Sequence, residues 1–195
     1  MIEFFERIDQ RIVLSINGLH SPILDEIMWF ISGKLPWIPF YVYLIFLAYK
    51  KISLKHLIVF ILIAICCIAF SDLICTYAFK EVFQRYRPSH NLLLFNKLHL
   101  YEEKPGQFYA GGEYGFISSH AANFFAIAAF VGLVLKQYYP NLIKWILLIA
   151  TIVSLSRVYL GVHYLSDIII GGFVGFLMGY IFYRFVYLKF TEKVL

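Results

Sequence analysis

Apolar residues recur at spacings of three and four through the start of the chain, at Phe5, Ile8, Ile12, Ile16 and Leu19, with Glu6, Arg7, Asp9, Gln10 and Arg11 between them. That period predicts an amphipathic helix over residues 2–19, too polar to cross a bilayer and suited to lying on its surface. His20-Ser21-Pro22 ends it. From Leu24 to Tyr49 the chain is largely apolar but interrupted by Ser32-Gly33-Lys34-Leu35-Pro36, so the first crossing is either the part after Pro36 alone or, the favoured reading, a proline-broken helix starting near Leu24. Leu57 to Phe79 is a second span, broken by Ser71 and Asp72 alone. Ala121 to Leu135 forms a third, Trp145 to Leu155 with its flanks a fourth, and Tyr164 to Tyr187 a fifth. Between the second and third, residues 81–116 turn polar and carry Pro88, Pro105 and four glycines, a loop of the length that is usually functional. The expected fold is all-α: one domain over residues 1–195, a bundle of five to six transmembrane helices with an interfacial helix at 1–20 and an extramembrane loop at 80–118. Gly171, Gly175 and Gly179 stand four apart, a spacing that lets helices approach closely, and packing inside the bundle is preferred over dimerisation.

Composition agrees with the pattern. The 195 residues are 61% hydrophobic and 15% charged, too apolar for the surface of a water-soluble domain of this size. Cys66, Cys67 and Cys75 share one apolar run and read as buried packing residues. The start of the chain is mixed in charge and does not read as a cleavable leader. A basic stripe interleaved with aromatics is missing, which argues against nucleic acid as a partner. Charge also sets the topology. Lys50, Lys51 and Lys55, then Lys136 and Lys144, then Arg184, Lys189 and Lys193 fall on one side of a five-span bundle, which should be the cytoplasm. The 80–116 loop, residues 156–163 and the interfacial helix then share the other face.

That outer face holds the chemistry. Ser156 to Asp167 packs Arg157, His163 and Asp167 into twelve residues. If a helix follows Gly161, Asp167 lies one turn from His163 and can take a proton from one ring nitrogen while the other attacks. Arg157 would sit roughly 240° away from His163 on a continuous helix, so the helix should break between them, and Gly161 is the residue that permits it. Lys80 and Arg87 are two helical turns apart and can face one site if the second span runs past the membrane edge, with Pro88 ending it. Ser118 and Ser119 precede the third span, where a serine caps the helix and the first backbone amides left unpaired offer an anion site, and His120 follows in its first turn. Three cations and two histidines point to a phosphate, with His163 attacking phosphorus and His120 protonating the leaving oxygen. A catalytic metal is disfavoured, because Lys80, Arg87 and Arg157 would repel it. His20, His56, His90 and His99 read as satisfied interface residues, and Glu102, Glu103 and Glu113 as solvated loop charges. Asp72 reads as either a functional intramembrane carboxylate or a structural hydrogen-bonding group.

In order and interval, Lys80-x6-Arg87-Pro88, Ser118-Ser119-His120 and Ser156-Arg157-x5-His163-x3-Asp167 resemble the three-part signature of the type 2 phosphatidic acid phosphatase (PAP2) superfamily. The resemblance spans residues 80–167. It implies a phosphatase without cofactor or metal, working through a phosphohistidine: His163 the nucleophile, Asp167 orienting it, His120 the general acid, and Lys80, Arg87, Ser118, Ser119 and Arg157 binding the phosphoryl group. The second motif has Ile117 and Ser119 where the family usually has proline and glycine. The expected substrate is a membrane lipid phosphate, lipid A phosphate or undecaprenyl pyrophosphate foremost, cut at the outer face of a bacterial inner membrane. Phosphotransfer to another lipid or sugar is the alternative within enzymes. A non-catalytic anion transporter is the alternative outside them, though it should show related halves and midplane cations, whereas these cations sit at helix ends.

Overall fold

The computed structural model describes residues 2–192, so Lys193, one of the charges used for topology, lies outside the described residues. Helix α1 (Ile2–Asn17) is followed by α2 (Pro22–Ser32), started by the Ser21 hydroxyl, which accepts from the Leu24 amide, and by Pro22 in the first turn. A 3-10 turn (Leu35–Trp37) leads into α3 (Ile38–Tyr49), and α2 meets the turn and α3 at 66°. Gly33 and Pro36 make that bend, and the Trp37 indole donates to the Ile31 carbonyl across it at 2.8 Å. Helix α4 (Leu54–Phe83) is the longest. Helices α5 (Ser119–Val134), α6 (Leu142–Tyr159) and α7 (Leu165–Thr191) complete the chain.

Each apolar segment read from the sequence forms a helix, but not all are full crossings. Among the described residues α4, α6 and α7 are long and apolar enough to span alone, and the bent α2–α3 pair would make a fourth. Helix α5, with 16 residues, is about 24 Å long and falls short of a bilayer core. It is also the most enclosed helix, with Ala121, Ala122, Phe124 and the run Ala126 to Gly132 buried. A short helix surrounded by the others can end inside the bundle, because its neighbours and not lipid cover its ends.

The glycine spacing is explained by the α5–α7 seam. A Cβ built on Gly171 would lie 2.7 Å from the Ser118 carbonyl oxygen, one on Gly175 2.0 Å from that of Ala122, and one on Gly179 2.3 Å from that of Ala126. Positions 118, 122 and 126 repeat every four residues too, so two small-residue stripes face each other within one chain. At the far end of the bundle Phe60 of α4, Phe130 of α5 and Tyr187 of α7 pack ring against ring, with Phe60 and Phe130 centroids 5.4 Å apart.

Three local expectations are corrected. Cys66 is exposed while Cys67 and Cys75 are buried. It shares its helix with exposed Ile58, Leu62, Ile65 and Phe70, so it faces hydrocarbon and not the core. The 80–118 loop holds a small hairpin, Glu102–Lys104 paired with Gln107–Phe108 around Gly106. Lys80 and Arg87 do not share a helical face, because Gln84 adopts a left-handed backbone (φ 44°) that ends α4 three residues before Arg87.

Replacing Gly175 with Ala should lower stability by about 1–3 kcal/mol, since the methyl group must force two backbones apart. Gly112→Ala, where nothing lies within 4 Å, should leave it unchanged. Thermal unfolding of the detergent-solubilised protein measures both.

Candidate active site

The site is built where α5 and α7 begin. The Ser118 amide donates to the Asp167 carbonyl at 3.1 Å, so the two helix starts are tied together. The Ser118 hydroxyl is turned inward and accepts from the Ala121 amide as the helix cap. Ser118 is fully buried behind the site and does not reach its cavity, unlike the phosphate-contact role read from its sequence position. Its amide is already bonded.

Chain reversal between α6 and α7 runs through Gly161, whose φ of +69° carries the turn. The break between Arg157 and His163 is thus where the sequence places it. His163 precedes α7, however, and meets Asp167 through a helix start instead of across a helical face. The Asp167 carboxylate accepts from the Tyr164 amide at 2.9 Å, closing a capping box, and its same oxygen lies 3.3 Å from His163 Nδ1. On the other ring nitrogen, Arg87 Nη1 stands 2.9 Å from Nε2. A guanidinium only donates, so Nε2 carries the lone pair and Nδ1 the proton that goes to Asp167. His163 is buried, and burial together with Arg87, Arg157 and Lys80 pushes its pKa well below the ordinary imidazole value. The ring is thereby held neutral.

A cavity of about 550 Å³ opens in front of that lone pair, lined by Lys80, Arg87, Ser119, His120, Arg157 and His163. Six of the eight residues picked from the sequence therefore line one space, and Asp167 and Ser118 stand behind it. Their partners explain what the cations can do. Lys80 donates to the Ser119 hydroxyl at 2.6 Å. Arg87 donates to the carbonyls of Tyr114 and Val162. Arg157 donates to the Ser32 hydroxyl and, at 2.6 Å, to the Tyr109 hydroxyl, while its buried Nε has no hydrogen-bond partner. These hydrogen-bond partners are all neutral and Asp72 is the one carboxylate among the described residues of the lining, so positive charge is in excess in the cavity and favours a polyanion. Gly111 and Gly115 let the loop close over Arg87, with a Cβ at Gly115 falling 2.9 Å from its Cγ.

Four contributors were missed. Arg85 is the most consequential: its guanidinium joins the Asp9 carboxylate at 2.8 Å, the Ser166 hydroxyl at 2.8 Å and the free oxygen of Asp167 at 3.1 Å, and it stacks on the Tyr164 ring. Asp9 comes from α1 and also accepts from the Ser166 amide and hydroxyl. Paired to two carboxylates, Arg85 is a clamp on Asp167 and not a ligand for substrate. Lys34, at the α2–α3 bend, lines the cavity and two smaller neighbours of about 270 and 170 Å³ that share His120. Tyr109 positions Arg157 from the loop. Asp72, which the sequence left open as functional or structural, is exposed and lines the cavity wall. The bare count of cations in Arg85-Tyr86-Arg87 was the one available signal, since Asp9 and Tyr109 are ordinary surface types until folded.

Comparison with known proteins fits this geometry. The PAP2 superfamily matches residues 60–191. A Porphyromonas gingivalis protein named lipid A 4'-phosphatase is 31% identical over 188 residues, covering 96% of this chain and 76% of its own. A Bacteroides thetaiotaomicron protein of the same name is 31% identical over 195 residues, covering 100% and 83%. Among solved structures, a transmembrane PAP2 type phosphatidylglycerolphosphate phosphatase from Bacillus subtilis superposes with a TM-score of 0.63 at 22% identity, over 98% of this chain and 88% of that one. Aquifex aeolicus LpxE gives 0.61 at 20%, over 90% and 94%. Helices that cross a membrane around a histidine-bearing anion cavity make this an integral-membrane phosphatase. The chain belongs to the PAP2 superfamily.

Because Arg85 fixes the carboxylate that faces the His163 ring, Arg85→Gln should cut kcat by about 100-fold with little change in KM. Arg85→Lys, which keeps one charge but not the fork, should recover part of it. Steady-state phosphate release on both variants reads the split.

Proposed function

We propose that this protein removes the 4'-phosphate of lipid A at the outer face of a bacterial inner membrane, through a phosphohistidine on His163. The observation that carries the reading is that His163 lines the cavity with its Nε2 lone pair held by Arg87, while Lys80, Arg87 and Arg157 around it have neutral hydrogen-bond partners. In this mechanism Arg87 leaves Nε2 for the phosphate oxygens as substrate enters, and Lys80 and Arg157 take the others. His163 Nε2 forms a bond to phosphorus in line with the breaking bond to the lipid oxygen. His120, lining the same cavity, gives that oxygen its proton. Asp167 holds the Nδ1 proton as positive charge develops on the ring. In the second half His120 takes a proton from water, the water oxygen attacks phosphorus, and inorganic phosphate leaves with His163 restored.

The choice of lipid rests on the two 31% identical relatives, each aligned over nearly the whole of this chain. The outward orientation rests on charge. Ile52, His56, Lys136 and Tyr183 line a cavity of about 860 Å³, so the basic connections near residues 50–56 and 136–144 and the C-terminal part of α7 gather at one end. Helix α1, with exposed Phe4, Phe5 and Ile8, packs at the active-site end through Asp9 and Asn17, where an interfacial helix would meet the headgroups.

The test is phosphate release by purified protein from lipid A, undecaprenyl pyrophosphate, phosphatidylglycerophosphate and phosphatidic acid, with EDTA present and His163→Ala as control. Release from lipid A that survives EDTA and falls at least about 1,000-fold in the variant is expected. Preference for another lipid overturns the substrate. Loss with EDTA overturns the chemistry, and phosphate appearing on a second lipid or sugar would show a transferase.

A further inference from the structure

The turn between α1 and α2 carries side chains that the phosphatase site does not use. His20 in the turn, Asp25 in the first turn of α2 and His99 in the long loop each offer a ligand atom, and these atoms lie within 4.8 Å of one another. The two imidazoles, read from the sequence as separate interface residues, stack with centroids 4.0 Å apart and planes 12° apart. His99 Nε2 is 3.0 Å from Asp25 Oδ2. We propose that His20, Asp25 and His99 form a binding site for a divalent transition ion of the zinc class, separate from the catalytic cavity.

The surroundings hold the donors ready. Asp25 Oδ1 accepts from the Tyr159 hydroxyl at 2.5 Å, which fixes the carboxylate and leaves Oδ2 turned to the histidines. The backbone of His99 is pinned on both sides by Asn17, whose Oδ1 accepts from the His99 amide at 2.8 Å and whose Nδ2 donates to its carbonyl at 2.7 Å. Asn17 is buried and bonds the Tyr159 carbonyl as well. Such outer partners orient metal ligands. The His99–Asp25 contact alone does not account for a second imidazole stacked on the first. Both histidines are exposed, so their rings can turn to converge on an ion, which replaces the His99–Asp25 hydrogen bond. Two imidazoles and one carboxylate suit Zn²⁺, Co²⁺ or Ni²⁺ over Mg²⁺ or Ca²⁺, with water completing the shell. Bound there, the ion would join the α1–α2 turn to the loop and, through Tyr159, to the end of α6, two residues after Arg157. Its role is to stiffen the rim of the phosphate cavity, and it takes no part in the reaction.

The experiment uses tag-free, EDTA-treated full-length protein in detergent, titrated with Co²⁺ and read by its visible absorption, then with Zn²⁺ as competitor and by thermal unfolding. One equivalent of Co²⁺ displaced by Zn²⁺, and a melting temperature raised several degrees by Zn²⁺, are expected. His20→Asn and His99→Gln should each weaken binding at least about tenfold and abolish the thermal shift. Both exposed-site variants should keep the metal-free melting temperature and the EDTA-resistant phosphate release. Binding in the wild type that persists unchanged in either variant, or no binding beyond the weak level of both variants, overturns the site.

Discussion

Everything at the active-site end depends on where one buried carboxylate is held. Asp167 accepts from the Tyr164 amide, faces the His163 ring with the same oxygen, receives Arg85 on the other oxygen, and takes the Ser118 amide on its backbone carbonyl. It thereby starts α7, sets the tautomer of His163, and ties the start of α5, with Ser119 and His120, to the same point. A carboxylate with no solvent exposure needs this many donors, because an unsatisfied charge there would cost several kcal/mol. Supplying them is what binds the Arg85 loop and the start of α5 to the start of α7.

The membrane helices make that convergence possible. Gly171 lets α7 pass against the Ser118 backbone, and Gly175 and Gly179 carry the same close approach down the seam. In lipid there is little hydrophobic gain from joining two apolar helices, so close backbone packing must supply the contact. The site then divides its cations by partner. Arg85 meets two carboxylates and is spent on structure, whereas Lys80, Arg87 and Arg157 meet neutral groups and stay available for an anion. Helix α1 reaches the clamp through Asp9, so a surface helix bearing exposed apolar residues is coupled to the Asp167 carboxylate by one guanidinium.

Much of this was legible in the sequence, for reasons that differ by residue. The apolar segments show because a bilayer imposes length and composition on a helix, and the short enclosed α5 departs because its neighbours replace lipid. His163, Asp167 and Arg157 show because they are close in sequence and rare in an apolar chain. Lys80, Arg87 and His120 show because their intervals match a known signature. Arg85 and Asp9 did not, since their pairing spans 76 positions and no local pattern announces it. Lys34 read as part of a helix break, and its place at the cavity follows from the 66° bend that Gly33 and Pro36 create. Ser118 was half legible: its capping role follows from position, but its amide is taken by Asp167, which only the α5–α7 seam reveals.

The central claim is that His163 carries the phosphoryl group between lipid and water. Rapid alkaline quenching of the enzyme during turnover of lipid A, followed by peptide mass spectrometry, tests it most directly. The account predicts a phosphorylated peptide with the modification on His163 and none on His120, absent when lipid A is withheld. Turnover at full rate with no phosphohistidine at any time point, or with the phosphoryl group on His120, would contradict it.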